Sequence, residues 1–154
     1  MGTRSVIAKP DGDIWRGRYC HWDGYPQWTG HAIFTLVQRD GLEVARKTLV
    51  DDNFYWSTVD YRADKVGYEG DTRFYLVQGY GTAGNEEQSS PDEWWTPSEV
   101  SGSWIEWIYV LTDEGLMVLS DATTLFGFYR WNLPEPNWNA EMEAFSDYSS
   151  EATL

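Results

Sequence analysis

Alternating apolar and polar positions near the start of the chain predict a β-hairpin. The segments "TRSVIAK" (3–9) and "IWRGRYCHW" (14–22) flank "PDGD". Asp-Gly between two strand-like runs is a strong hairpin signal, so we expect a two-residue turn at Asp11-Gly12. This turn predicts three cross-strand pairs: Lys9 with Ile14, Ile7 with Arg16, and Arg4 with Tyr19.

Alternation along the hairpin sorts its side chains into two faces. The face expected to lie against the core carries Arg4, Val6, Ala8, Trp15, Gly17, Tyr19 and His21. The face expected to be mostly solvated carries Thr3, Ser5, Ile7, Lys9, Ile14, Arg16, Arg18, Cys20 and Trp22. Arg4 and His21 are therefore predicted as polar groups at one end of a buried face. This placement depends on the bend, and a bend displaced by one residue would remove the predicted pocket.

Helical spacing of apolar residues predicts two central helices. The first covers "WTGHAIFTLVQRD" (28–40), with Thr29 as the N-cap, and it ends at Gly41. The second covers "GLEVARKTLVDD" (41–52), which again shows apolar residues at helical spacing.

The remaining chain is predicted as strands separated by loops. The predicted elements are a loop over 53–72, a strand over 73–81, a long acidic loop over 82–103, a hairpin over 104–120, a strand over 125–131, a short helix over 137–148 and a frayed tail over 149–154. Both faces of the 104–120 hairpin are apolar, which is typical of a central strand covered on both sides. The whole chain, 1–154, is thus predicted as a single α+β domain: a mostly antiparallel sheet with the two central helices packed on one face.

The charge of the chain is strongly negative and unevenly distributed. The net charge is −14 over 154 residues, yet residues 1–50 carry seven Lys and Arg against five Asp and Glu. Residues 51–154 carry four basic against twenty acidic residues. An acidic surface repels phosphate backbones, so direct nucleic-acid binding is disfavoured. The same charge leaves open a protein that mimics nucleic acid and binds a basic partner.

Cysteine content and hydropathy set the expected compartment. The single cysteine excludes an internal disulfide and favours a reduced, cytoplasmic location, which would be the host cytoplasm for a phage-encoded protein. No apolar run reaches the length of a membrane span, so we expect no membrane partner. No phosphate-binding glycine motif or paired Cys motif is present, and we expect no cofactor.

The segment "RYCHWDGYP" (18–26) concentrates chemically active side chains. His21 and Asp23 lie two positions apart on a strand, where they can serve acid–base chemistry or supply two metal ligands. A metal site needs at least one more ligand, so we predict none. Cys20 points away from His21, which makes a nucleophile–base pair of the two unfavourable and favours a small packing residue.

Glu106 interrupts an otherwise apolar strand. A buried carboxylate requires a partner or its pKa rises, and Arg4 is one candidate if the two hairpins are neighbours in the sheet. Such a pair serves structure or lines a pocket.

Aromatic residues are unusually abundant, with ten Trp, ten Tyr and six Phe. Core packing accounts for those on strands, but Trp94 and Trp95 stand in a polar, acidic loop. Exposed aromatic residues are typical anchors of interfaces. Arg16 and Arg18, on the face expected to be solvated, either bind an anionic ligand or protect an edge from aggregation.

Several motifs resemble a family of small uncharacterised proteins of bacteriophages and high-GC bacteria. They are "MGTRS" at the start, "Y-x-HWDGYP" near residue 20, and later "YWSTVD", "VQGYGTA", "WWTPSEV", "EWIYVLTDEGLMVLS" and "YRWNLPEPNW", so the likeness covers most of the chain. The two N-terminal motifs fall on Gly2, Thr3, Arg4, Ser5, Tyr19, His21, Trp22, Asp23, Gly24, Tyr25 and Pro26. The resemblance implies a small intracellular accessory protein and transfers no biochemical activity.

These observations favour a non-catalytic binder of a host protein or a small ligand, with counter-defence as one form of that role. The expected binding residues are Arg4, Tyr19, His21, Trp22, Asp23, Tyr25, Trp94, Trp95 and Glu106. One alternative is a small hydrolase or transferase with His21 as base, Asp23 as its orienter and Arg4 as anion stabiliser. The other is the acidic mimic of nucleic acid described above.

Overall fold

A computed structural model describes residues 2–65 and 70–152 of the chain, with the side chains of residues 147–152 left out. Its strands are β1 (Ser5–Asp11), β2 (Ile14–Cys20), β3 (Tyr55–Val59), β4 (Phe74–Val77), β5 (Gly81–Gly84), β6 (Trp107–Leu111), β7 (Gly115–Leu119) and β8 (Leu125–Arg130). Its helices are α1 (His31–Asp40), α2 (Leu42–Arg46), α3 (Pro97–Val100) and α4 (Trp138–Ala152). A π-helical turn precedes α1 (Pro26–Gly30) and another follows α2 (Lys47–Asp51).

The eight described strands form one mixed sheet in the order β4-β5-β3-β2-β1-β6-β7-β8. Five of the seven pairings are antiparallel, and β1 with β6 and β2 with β3 are parallel. The predicted α+β class and the mostly antiparallel sheet are confirmed. The first hairpin lies at the centre of the sheet, with further strands on both sides.

The bend of the first hairpin lies one residue later than predicted. Gly12 and Asp13 form the turn, and Lys9 stands opposite Arg16 rather than Ile14. Gly12 has a φ of 59°, a left-handed conformation that glycine adopts without steric cost. The register therefore differs from the prediction by two residues. Because side chains alternate with a period of two, an even slip leaves the residues of β1 and β2 on the same side of the sheet as predicted. The expectation that a displaced bend would remove the predicted pocket is therefore wrong.

The prediction that one hairpin face would be solvated is wrong. Ser5, Ile7, Arg18 and Cys20 of that face are buried, because helices cover it. Ile7 and Cys20 belong to a large core cluster that also contains side chains of α1, α2 and α4. Val6 and Ala8 of the other face belong to a smaller cluster on the opposite side of the sheet.

The two central helices form where apolar spacing predicts them. Pro26 opens the helical segment, and Gly41, with a φ of 90°, separates α1 from α2. Thr29 is not an N-cap, because its hydroxyl donates instead to the carbonyl oxygen of Asp23 at 2.7 Å. Buried residues of both helices join the large cluster, whereas Val100 of α3 belongs to the smaller one. The helices as a set are therefore not confined to one face.

The middle of the chain differs from its prediction. The segment predicted as loop, 53–72, contains β3, and the predicted strand over 73–81 is a β4–β5 hairpin that turns before Gly81. The loop is shorter than the predicted acidic loop over 82–103, because this segment begins within β5 and contains α3.

The C-terminal third follows its prediction closely. The hairpin over 104–120 is β6–β7, with one face of β6 in each core cluster, and 125–131 forms β8. The backbone of α4 continues through Ala152, so the helix extends into the tail that was predicted to fray, while 153–154 lie outside the described residues. Within the described chain, we find no helix with the length and apolarity that crossing a membrane requires.

Candidate ligand-binding cavity

Three adjacent strands bring Arg4, His21 and Glu106 to one end of the sheet. Ser5 at the start of β1 pairs with Cys20 at the end of β2, so Arg4 and His21 occupy the next positions along. Ser5 also pairs with Trp107 at the start of parallel β6, and the N–H of Glu106 donates to the carbonyl oxygen of Arg4 at 3.0 Å. The register alone thus places these three residues side by side.

A cavity of about 540 Å³ opens at this end of the sheet, and we call it the terminal cavity. Its lining residues are Gly2, Arg4, His21, Trp22, Trp104 and Glu106. Two of its indoles are exposed to solvent, since Trp104 is 82% and Trp22 is 39% exposed. The cavity therefore combines one cation, one imidazole and one carboxylate with a large accessible aromatic surface.

His21 is held in place by aromatic neighbours. Its Nδ1 atom lies 2.7 Å from the hydroxyl oxygen of Tyr19, and its ring contacts Trp22 edge to face at a centroid distance of 4.6 Å. Burial lowers the pKa of His21 below 6.5, and the positive charge of Arg4 lowers it further. The imidazole is consequently neutral at neutral pH, and Arg4 supplies the positive charge of the cavity.

Tyr19 interacts with both Arg4 and His21. Burial raises the pKa of Tyr19 to about 12, although the neighbouring Arg4 guanidinium opposes this shift. The hydroxyl thus keeps its proton at physiological pH and remains available for the hydrogen bond to His21. Tyr19 is a supporting residue here, since it is not among the residues that line the cavity.

Asp23 and Tyr25, both predicted for this site, form a separate pair. Asp23 adopts a left-handed φ of 56°, which turns the chain away from the direction of β2. Burial and the nearby Asp23 carboxylate raise the pKa of Tyr25. The group that hydrogen-bonds His21 is Tyr19, so the expected orientation of His21 by Asp23 has no counterpart in the geometry.

Trp94 and Trp95 pack against β2 rather than into the terminal cavity. The N–H and C=O of Trp95 bond to the backbone of Gly17 at 2.9 and 2.8 Å, and its ring stacks on Tyr19 at 5.8 Å. The Trp94 ring lies under the guanidinium of Arg18, at 3.4 Å from carbon to centroid. This part of the acidic loop therefore pairs with the stretch of β2 that β3 does not cover.

The expected buried pair of Arg4 and Glu106 is not present. Glu106 is exposed and stands one residue before β6, and the described part of the chain shows no ion pair for Arg4. The interpretation of Glu106 as a buried carboxylate is wrong because β6 begins at Trp107, the residue after Glu106. Both side chains line the terminal cavity and remain accessible to a ligand.

Two lining residues, Gly2 and Trp104, were missed by sequence reasoning. A Cβ atom at Gly2 would lie 2.4 Å from the Trp22 ring, so only glycine allows the N-terminal segment to pack this close to the indole. Trp104 lies two positions before Glu106, and residues at this spacing in an extended chain point to the same side. This spacing was the available signal for the position of Trp104. Trp104 was predicted within a strand covered on both sides, whereas β6 begins only at Trp107 and leaves Trp104 exposed.

Metal binding and thiol chemistry receive no support from the described geometry. Among the described side chains, those of residues 2–65 and 70–146, no group of three or more His, Cys, Asp or Glu is placed to hold a metal ion. Cys20 is fully buried, and burial raises its pKa to about 12. A thiol in this state is a poor nucleophile, which agrees with its interpretation as a packing residue.

Comparison of the chain with protein-family models, with curated proteins and with solved structures found no significant match in any of the three.

Proposed function

We propose that the protein is a non-catalytic binding protein whose terminal cavity captures a small aromatic anion. The observation that carries the proposal is the combination of Trp104, 82% exposed, with an Arg4 that has no described ion-pair partner, in one concavity. Covering an indole removes on the order of 150 Å² of apolar surface, or about 4 kcal/mol by area, before the costs of association. The guanidinium then selects a carboxylate or another planar anion.

Binding fits the site better than catalysis does. A hydrolase based on His21 requires a carboxylate that orients the imidazole, and Asp23 lies beside Tyr25 instead. The neutral His21 is suited to donate or accept one hydrogen bond to a polar group of the ligand. The cavity volume of about 540 Å³ also falls within the range of small-molecule sites.

The biological context that we propose is that of a phage-type accessory protein. This part of the proposal is supported by the resemblance of the motifs "MGTRS" and "Y-x-HWDGYP". Four residues of these motifs line the terminal cavity, namely Gly2, Arg4, His21 and Trp22.

The experiment compares two probes that share a ring and differ in charge, indole-3-acetate and tryptamine. Saturation-transfer NMR and calorimetry should show binding of the acetate, with tryptamine at least tenfold weaker. The substitution Arg4→Gln should abolish this preference, and Trp104→Ala should weaken both probes. Arg62→Gln and Leu133→Ala serve as matched exposed controls and should leave both affinities unchanged.

Two results would overturn the proposal. One is a folded protein that binds neither probe at millimolar concentration. The other is a preference for the acetate that survives Arg4→Gln, since the anion would then be recognised elsewhere.

A further inference from the structure

A second cavity, of about 490 Å³, lies near the bend of the first hairpin, and we call it the basic cavity. Its lining residues are Lys9, Pro10, Arg16, Glu43, Arg46, Lys47, Asp51 and Asp113. Lys9 and Arg16 are directly opposite each other on β1 and β2, and α2 with the turn after it supplies Arg46 and Lys47. The terminal cavity is at the opposite end of the same hairpin.

The concentration of positive charge here contrasts with the rest of the molecule. The chain has eleven Lys and Arg and a net charge of −14, and four of the eleven line this one cavity beside three of the twenty-five Asp and Glu, a net of +1. Like charges placed directly opposite each other on a sheet are destabilising, and the carboxylates of Asp51 and Asp11 offset the repulsion between Lys9 and Arg16. A surface selected only for solubility has no need of such a cluster.

Each of the four cations has a carboxylate partner, and three of these partners are more exposed than the cation. Lys47 is the exception, because it is 64% exposed and lies 2.7 Å from Asp52, which is 50% exposed. Lys9 Nζ lies 2.6 Å from Asp51, with side chains 23% and 38% exposed. Arg46 lies 3.0 Å from Asp113, with side chains 25% and 78% exposed. Ion pairs with a solvated carboxylate are worth about 0–1 kcal/mol, so a multiply charged anion can displace Asp113.

The two arginines remain positioned without these carboxylates. Arg46 also donates to the carbonyl oxygen of Leu111 at 3.0 Å, which fixes its guanidinium independently of Asp113. The Arg16 guanidinium lies 4.2 Å from the centroid of the Trp94 ring. Its Nε atom is buried without a hydrogen-bond partner in the described structure, and the Asp11 carboxylate is 3.9 Å away. Arg16 thus has unused donor capacity.

We infer that the basic cavity binds a multiply charged phosphate ligand, with Arg16 and Arg46 as its principal anchors. Planar guanidinium groups donate parallel hydrogen bonds to phosphate oxygens, and two lysines beside them add charge without demanding a fixed geometry. This site is separate from the terminal cavity and does not depend on its proposed function.

The test uses calorimetry with pyrophosphate and, in a second arm, with ATP, both at 50 mM and 300 mM NaCl. Pyrophosphate should bind at low salt and at least fivefold more weakly at high salt. ATP binding tighter than pyrophosphate identifies a nucleotide ligand, and equal affinities identify the polyphosphate group as the recognised part. Either result supports the inference.

Variants separate this site from general electrostatic attraction. Arg46→Gln and Arg16→Gln should each weaken pyrophosphate at least fivefold. Asp113→Asn should tighten it about threefold or more, because the competing carboxylate is removed from the cavity mouth. Arg62→Gln, an exposed arginine elsewhere, should have no effect.

The inference is overturned if wild-type protein fails to bind pyrophosphate at 50 mM NaCl, or if Asp113→Asn leaves its affinity unchanged. It is also overturned if Arg62→Gln weakens binding as much as Arg46→Gln does. The Asp113 variant keeps the test decisive even if an arginine substitution prevents folding.

Discussion

Arg18 ties the acidic loop to the sheet and to the helical layer through one buried guanidinium. Its residue is 2% exposed, and Nε donates to the carbonyl oxygen of Val50 at 2.7 Å. A terminal nitrogen donates to the carbonyl oxygens of Glu93 at 2.8 Å and Pro91 at 3.2 Å. The Trp94 ring covers the guanidinium at 3.4 Å. Replacing Arg18 should therefore release the loop as well as destabilise the fold.

The substitution Arg18→Met retains much of the side-chain volume and removes all three donated hydrogen bonds. Hydrogen bonds to charged groups contribute about 1.5–3 kcal/mol each, so the gross loss is roughly 5–9 kcal/mol. Methionine also escapes the burial penalty that lowers the pKa of Arg18 to about 10, an offset of about 3 kcal/mol. The free energy of unfolding should fall by about 2–6 kcal/mol, which corresponds to roughly 4–24 °C in Tm for a chain of this length.

Urea unfolding followed by tryptophan fluorescence measures the global effect. Hydrogen exchange at the Trp95 amide measures the loop, because this N–H donates to the carbonyl oxygen of Gly17 at 2.9 Å. Arg62→Met is the matched control, since its side chain is 66% exposed, and it should change stability by less than about 0.5 kcal/mol. A loss below about 1 kcal/mol for Arg18→Met, or unchanged exchange at Trp95, would refute the assignment of Arg18 as the anchor of this loop.

Three further predictions address the cavity, the sheet and acid stability. Arg4→Gln should raise the pKa of His21 in an NMR titration of the ring, because burial alone then opposes protonation. An unchanged pKa would show that the charge of Arg4 does not act on His21. Gly17→Ala should cost about 3 kcal/mol in urea unfolding, since its Cβ would lie 2.4 Å from a backbone oxygen, and full stability would show that the strands can separate there. Asp40 has a pKa of about 2, below the ordinary 3.8, mainly through its hydrogen bond with Arg39. Its stabilising contribution, at most about 2 kcal/mol, is complete above pH 4 and is lost as the pH falls towards 2. Asp40→Asn should therefore flatten the stability profile over this interval, and a profile parallel to wild type would exclude the effect.

Elements with a clear period were predictable because local pattern and tertiary environment agree. The apolar stripe of α1 and the two apolar faces of β6 each meet a core cluster in the structure. The first hairpin was placed on the correct faces with the wrong bend. The turn forms at Gly12-Asp13 instead of the predicted Asp11-Gly12, and this places Lys9 opposite Arg16. Turn chemistry alone did not distinguish two bends that differ by one residue.

β3 was missed because it lacks alternation, although its Tyr, Trp, Thr and Val are typical strand residues, and β5 was missed because it lacks both signals. Trp56, Ser57 and Val59 of β3 are all buried, so burial on both faces hides the alternation that marks a half-exposed strand. β5 reads "GTAG", which has low intrinsic strand preference and forms through its neighbours β3 and β4. Tertiary context decides both strands, and a single sequence does not contain it.

The terminal cavity was predictable in part for a geometric reason. Arg4 and His21 were assigned to one face, which an even register slip preserves. Trp22, assigned to the opposite face, lines the same cavity because it lies beyond the end of β2 at Cys20, and Glu106 was identified as a break in an apolar run just before β6. Asp23 was misplaced because its left-handed backbone ends the alternation on which its position relied. Trp94 and Trp95 were placed near the site by composition, and their pairing with β2 is a contact between distant segments that no local pattern shows.

The observed register also determines which cations line the basic cavity. Pairing Lys9 with Ile14, as the predicted bend requires, would leave Lys9 and Arg16 two positions apart along the sheet. The actual bend sets them opposite each other, and packing of α2 adds Arg46 and Lys47 to the same concavity. A chain with a net charge of −14 thereby places four of its eleven cations around one concavity, beside three carboxylates. Since an anion responds mainly to charges within about 10 Å at physiological salt, the proposed phosphate site depends on this local arrangement more than on the net charge.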